Sequence, residues 1–205
     1  MNKEIIIYII DDEEHVRNAI ALLMKSVGFK VEKFSSALEF FEQFKADTLG
    51  CIISDIRMPI MSGLDVLKKL KNDFPLSYLP VILITGHGDI SMAVQAMKNG
   101  ALDFVEKPFN TQNLLDKVNQ AVELSINTKE EKQKTLDIQK KYNTLTEKEK
   151  QVFELIAKGD TNKVISQKLY VTQSTIEARR AKIILKMEVD NSSELVKMAV
   201  VIGLL

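Results

Sequence analysis

Short apolar runs alternate with amphipathic stretches along the first 125 residues of the chain. The runs Ile5–Ile10, Lys30–Phe34, Cys51–Asp55, Val81–Thr85 and Phe104–Lys107 are four to six residues long and rich in β-branched side chains, the pattern of strands. Helical periodicity occupies the intervals, over Glu14–Val27, Ala37–Lys45, Gly63–Asp73, Ile90–Asn99 and Thr111–Ser125. Gly28 and Gly100 follow two of these helices, where a left-handed residue closes the last turn. Five strands alternating with five helices predict a doubly wound, five-stranded parallel sheet of α/β type. In such a sheet ligands bind outside the carboxyl ends of the strands.

Beyond residue 125 the strand-like runs stop. Residues 126–143 are polar, with Lys129-Glu130-Glu131-Lys132-Gln133-Lys134 at their centre, and read as a charged linker that could extend the preceding helix. Residues 144–205 predict a small all-α domain. Thr146-Glu147-Lys148-Glu149 fits a capping box opening a helix that runs to about Lys158 and closes at Gly159. A short helix covers about Asn162–Leu169, then Tyr170-Val171-Thr172 forms a tight turn. Thr172 caps a helix reaching Met187, and a last helix starts near Ser192. Helix, short turn and helix is the organisation of a DNA-reading module. The chain thus divides into a domain over 1–125, a linker over 126–143 and a helical domain over 144–205.

Charge sharpens this division. The formal net charge is zero, but residues 1–125 hold 13 Lys and Arg against 17 Asp and Glu, leaving 15 against 11 for the rest. An acidic first part and a basic second part point to different partners. The single cysteine, Cys51, lies in an apolar run and reads as an inert buried thiol. No apolar run approaches the roughly 18 residues that span a bilayer, and Ile5–Ile10 is too short for a signal segment. A cytoplasmic protein without a membrane partner is expected.

The chemistry gathers at strand ends. Asp11 and Asp12 follow the first strand, Asp55 ends the third, Thr85 the fourth and Lys107 the fifth, so all five fall at one edge of the sheet. Converging carboxylates repel in a partly dry crevice, and a hard divalent cation such as Mg²⁺ relieves that repulsion. Asp55 beside the cation is a competent nucleophile toward a phosphoryl group, giving an acyl phosphate. Lys107 would neutralise charge on the phosphoryl oxygens, and Thr85 would donate a hydrogen bond to one of them. Taken singly, each has a plainer explanation. Asp11 to Glu14 could be the acidic first turn of a helix, and Lys107-Pro108 an ordinary strand end.

Taken together, Ile9-Ile10-Asp11-Asp12-Glu13, Asp55-Ile56-Arg57-Met58-Pro59 and Met61-Ser62-Gly63 resemble receiver domains of two-component response regulators, which implies a flavodoxin-like fold. Leu83-Ile84-Thr85-Gly86-His87-Gly88-Asp89 and Phe104-Val105-Glu106-Lys107-Pro108-Phe109 are similar to those of the FixJ-type branch. The resemblance implies that Asp55 accepts phosphate from a histidine kinase. It implies Mg²⁺ held by Asp12, Asp55 and the main-chain carbonyl of Arg57, with Asp11 assisting, and a cis peptide before Pro108. It also implies that Thr85 and Phe104 form a switch pair, and that Arg57 and His87 flank the site and tune the lifetime of the phosphate.

The C-terminal stretch Asn162-Lys163-Val164-Ile165-Ser166 through Thr175-Ile176-Glu177-Ala178-Arg179-Arg180 is similar to LuxR-type helix-turn-helix domains, with Leu185-Lys186-Met187 following. Candidate contacts to double-stranded DNA are Lys163, Thr172, Ser174, Thr175, Glu177, Ala178, Arg179, Arg180 and Lys182. Arginine and lysine meet phosphates, arginine also reads guanine, alanine touches a thymine methyl and glutamate accepts from cytosine. The chain has Arg179 where the family commonly has His, and Ser166 where Ala is usual. The last helix, with Leu195, Val196, Ala199, Val200 and Ile202, is more apolar than one core face requires; dimerisation through it is the family habit.

The expectation is a phosphorylation-controlled transcription regulator, not an enzyme, that is a homodimer when phosphorylated and monomeric or masked otherwise. Two other classes fit parts of the pattern. One is a receiver serving as a protein-binding signalling module, and the other a metal-dependent phosphohydrolase sharing the acidic crevice.

Overall fold

The computed structural model describes residues 4–45, 47–74, 79–86 and 90–205. They divide into two compact units, Met1–Lys129 and Glu130–Leu205.

In the first unit β1 (Ile5–Ile10), β2 (Lys30–Phe34), β3 (Leu49–Asp55), β4 (Val81–Thr85) and β5 (Asp103–Glu106) form one parallel sheet in the order β2-β1-β3-β4-β5. They alternate with α1 (Glu14–Ser26), α2 (Ala37–Gln43), α3 (Gly63–Asp73), α4 (Ile90–Lys98) and α5 (Thr111–Asn143). The continuous apolar runs of β1, β3 and β4 follow from burial on both faces. Tyr8, Ile10, Ile52 and Leu83 pack with Phe40 of α2 and Leu64 and Leu67 of α3. Ile7, Ile9, Ile53 and Ile82 face the other way, against Ile20 and Met24 of α1 and Leu114 and Val118 of α5. The strand order reverses between β1 and β3, so a crevice opens where Asp11 and Asp55 leave the sheet.

β3 starts two residues earlier than its apolar run predicts, at Leu49. Gly50 has φ +136° and lies opposite Ile6; a Cβ there would stand 1.9 Å from the Ile6 carbonyl oxygen. Glycine is therefore required for the two strands to pair, although in sequence it reads as a break.

The stretch 126–143 is helical throughout, as the continuation of α5. Its ends belong to different cores. Ile126 packs with the first unit, where Lys129 also pairs with Asp47, whereas Ile138 and Tyr142 pack in the second unit. The units divide inside this helix, after Lys129.

The second unit contains α6 (Glu147–Ala157), α7 (Asn162–Lys168), α8 (Gln173–Met187) and α9 (Ser192–Val201) around Phe153, Ile156, Ile165, Ile176, Ile183 and Leu195. Thr146 and Glu149 make the expected reciprocal capping box on α6. Thr161, Thr172 and Asn191 each accept a backbone N–H at the start of α7, α8 and α9. No helix among the described residues is long and apolar enough to cross a membrane.

Candidate functional site

β1 delivers Asp11 and β3 delivers Asp55 to the crevice at the carboxyl edge, both buried. Lys107, just past β5, reaches between them. Its ammonium lies 2.9 Å from Asp11 Oδ2, 2.8 Å from Asp55 Oδ1 and 3.3 Å from Glu13 Oε1. The Arg57 backbone N–H donates to the other Asp55 oxygen, Oδ2, at 2.6 Å. Both oxygens of the Asp55 carboxylate are thus oriented, one by a cation and one by a main-chain donor.

These contacts set the electrostatics. Burial pushes Asp55 above the ordinary carboxylate range; the Lys107 ammonium pulls it down and the neighbouring Asp11 charge pushes it up again. Burial disfavours the charged form of Lys107, but the hydrogen bonds it donates to Asp55 and Asp11 outweigh it and raise its pKa above the ordinary lysine value. The lysine therefore stands as a cation between two buried acids.

Thr85 ends β4 and is buried; its carbonyl accepts the Lys107 backbone N–H at 2.7 Å. Phe104, opposite Leu83 in the β4–β5 pairing, is exposed. The Lys107-Pro108 peptide is cis. Asp12 is exposed rather than buried with Asp11. His87 lies outside the described residues. Among those described, no three His, Cys, Asp or Glu side chains are grouped closely enough to hold a metal ion. The donor set is nonetheless the right kind for a hard divalent cation, since carboxylate oxygens from Asp11 and Asp55 converge on the Lys107 ammonium.

Three residues matter here that sequence reasoning did not single out. Glu13 gives Lys107 a third carboxylate. Arg17 reaches back from α1 to donate to the Asp11 main-chain carbonyl at 2.5 Å. Gly63 opens α3 so close to β3 that a Cβ would lie 2.4 Å from the Asp55 carbonyl oxygen. Glu13 and Gly63 carried a signal, inside the motifs Asp11-Asp12-Glu13 and Met61-Ser62-Gly63, whereas Arg17 carried none.

In the second unit Gln173, Ser174, Glu177, Ala178 and Lys182 are exposed on α8, its cap Thr172 is exposed as well, and Lys163 is exposed on α7. Thr175 and Arg179 are half-buried. The Thr172 hydroxyl, besides capping α8, lies 2.8 Å from the Thr175 hydroxyl. Arg180 points elsewhere. Its guanidinium donates to Asn162 Oδ1 at 2.5 Å and to Ser192 Oγ at 2.6 Å. Ser166 turns its hydroxyl onto the Lys163 carbonyl at 2.8 Å, so a serine fits where the family commonly has alanine.

A parallel sheet with two acids and a lysine at its switch point, followed by a capped helix-turn-helix unit, defines a response regulator. The response regulator receiver domain matches residues 7–119, and the luxR family of bacterial regulatory proteins matches residues 143–199. The chain belongs to this family: it joins a receiver domain to a LuxR-type DNA-binding domain. Over 96% of its length it is 38% identical to the response regulator protein TmoT of Ectopseudomonas mendocina, of which 88% is covered. It is also 38% identical to the transcriptional regulatory protein FixJ of Rhizobium meliloti, over 96% of each chain. Its fold is similar to that of the response regulator StyR, with a TM-score of 0.83 at 34% identity over 96% of this chain and 98% of that one. Full-length FixJ from B. japonicum matches with a TM-score of 0.60 at 35% identity, covering both chains completely.

Proposed function

We propose that Asp55 is the phosphoacceptor of this regulator, that its phosphodonor is a histidine kinase, and that the acyl phosphate controls binding of double-stranded DNA by the C-terminal unit. The observation that carries this reading is the Lys107 ammonium within 2.9 Å of both Asp11 and Asp55. An Asp55 oxygen attacks phosphorus, the phosphorus–nitrogen bond of the phosphohistidine breaks, and the departing imidazole takes up a proton. Lys107 offsets the negative charge on the phosphoryl oxygens, and the Thr85 hydroxyl donates to one of them. Asp11, Asp12, Asp55 and the Arg57 carbonyl would hold Mg²⁺, which supplies further charge neutralisation when bound.

Asp55 and the DNA-facing residues are in different units, so the phosphate must act through a two-state element. Thr85 and Phe104, with the adjoining α4, are that element, and its shift favours a homodimer or an unmasked DNA-binding unit. Lys163, Thr172, Ser174, Thr175, Glu177, Ala178, Arg179 and Lys182 form the DNA-facing set. The protein makes one acyl phosphate per chain rather than turning over an external substrate, and it works in the cytoplasm.

Sedimentation velocity in Mg²⁺, with and without beryllofluoride, tests the switch. Beryllofluoride mimics the phosphoryl group on an aspartate. Wild type is expected to dimerise on its addition and Asp55→Asn to stay unchanged. Equal behaviour of the two proteins would refute Asp55 as the switch.

A further inference from the structure

Arg180 lies near the middle of α8, on a helix whose exposed polar residues face outward. Its side chain instead joins the first residue of α7, Asn162, to the first residue of α9, Ser192. Both bonds are charge-assisted and short, and they use two different guanidinium nitrogens, so the planar fork is matched to two acceptors on two helices. The position has an electrostatic cost. A cation near the starts of two helices meets the positive ends of their dipoles. No carboxylate pairs with the guanidinium among the described ion pairs. A cation held there by two neutral acceptors serves to fix the three helices in register.

We infer that Arg180 is a positioning residue for the recognition helix rather than a DNA contact: it seats α8 between α7 and α9, and thereby sets the angle at which Ser174, Glu177 and Ala178 are presented. This inference rests on the reading of the second unit as a DNA-binding domain. The apolar core of α8, Ile176, Ile183 and Met187, fixes which face of the helix is buried. It tolerates small slides along the axis, because packing is non-directional. Two directed hydrogen bonds to different helices remove that freedom.

The test uses the full-length chain and a labelled 30-base-pair duplex, recovered by selection with the wild type from a random library. Affinities are measured from low to high salt for wild type, Arg180→Ala, Arg180→Lys and the double variant Asn162→Ala/Ser192→Ala. Each substitution is expected to weaken binding roughly tenfold, the equivalent of one charge-assisted hydrogen bond, without changing the slope of log affinity against log salt. The double variant is decisive because it keeps the arginine charge and removes only its partners.

A different result would overturn the inference. If Arg180 met a phosphate, Arg180→Ala would lower the salt slope by about one. Arg180→Lys would then restore most of the affinity, and the double variant would bind as wild type. Amide hydrogen exchange in the first turns of α7 and α9 is followed in parallel, without DNA. Faster exchange in Arg180→Ala is expected, and unchanged exchange would reject the clamp. Failure of the wild type to retain any duplex would reject the DNA-binding reading, while the exchange experiment would still decide the role of Arg180.

Discussion

Gly63→Ala is the substitution that couples fold to chemistry most directly. Gly63 has no positive φ, so any residue could adopt its backbone; what excludes a side chain is space. An added Cβ would lie 2.4 Å from the Asp55 carbonyl oxygen and 2.9 Å from Leu83 Cδ2. Leu83 is fully buried in the core, and the Asp55 carbonyl is held still more firmly. Asp55 is paired with Ile84 in the sheet, and its carbonyl also accepts from the Ser54 hydroxyl at 3.0 Å. Gly63 is itself tied to the loop after Asp55 by its N–H, which donates to the Ile56 carbonyl at 3.1 Å. Restoring ordinary contact takes a displacement of roughly 1 Å, shared between α3 and the end of β3. Overpacking of this kind costs about 1–3 kcal/mol, which moves a urea midpoint by roughly 1 M. A misplacement of about 1 Å at a reacting group costs on the order of 100-fold in rate.

The assay is urea unfolding together with labelling of Asp55 by phosphoramidate, followed by intact mass. Gly63→Ala is expected to lose both stability and labelling. Gly28→Ala is the control: a Cβ there meets nothing within 4 Å, but φ is +90°, so it should cost about 1 kcal/mol of backbone strain and leave labelling intact. Wild-type labelling by a destabilised Gly63→Ala would show that α3 alone moves, and would refute the link to Asp55.

Two further outcomes follow from local geometry. Ile60 is 90% exposed with φ +69°, at the centre of a tight turn closed by the Met61 N–H donating to the Pro59 carbonyl at 2.7 Å. Ile60→Gly is expected to stabilise the chain by up to about 1 kcal/mol, the strain of a β-branched residue less the entropy of glycine; a lower urea midpoint would contradict this. Glu149 caps α6 and accepts from Lys186 at 2.6 Å, and chiefly that bond holds its carboxyl below the usual 4.5. A lowered carboxyl stabilises the fold above its unfolded value and loses that contribution as pH falls through the folded one. Glu149→Gln should therefore cost about 1 kcal/mol at neutral pH, with the gap to wild type closing below pH 4.5. Exchange protection of the Val152 and Ile183 amides measures it, and a gap independent of pH would count against the pairing.

The alternation of apolar and polar runs makes the sheet, its strand ends and hence the edge carrying Asp11, Asp55, Thr85 and Lys107 legible in the sequence alone. Strand ends are local properties, and in a parallel sheet they all face one way. Two kinds of feature are not decided by that alternation: the polar stretch after Ser125, read as a linker that could extend the preceding helix, and pairings between distant residues. The polar stretch after Ser125 has no helical stripe, because its apolar anchors, Ile126 and Ile138 with Tyr142, belong to separate cores and leave residues between them mostly exposed. Pairings across long separations are left open as well: Lys107 with Asp11 spans 96 residues, and which acid a lysine reaches depends on how far the chain brings their Cβ atoms together.

Arg180 is the sharper case. Helical periodicity gives the direction of its Cβ and groups it with the polar face of α8. Whether that direction leads to solvent or to acceptors depends on where α7 and α9 begin. Those starts are set by Thr161 and Asn191, which cap helices that α8 meets only in the folded domain. Charge and periodicity favour the outward reading; the two bonds, to Asn162 at 2.5 Å and Ser192 at 2.6 Å, favour the inward one. The salt slope of DNA binding separates the two because only a residue that meets phosphate changes the number of counterions released.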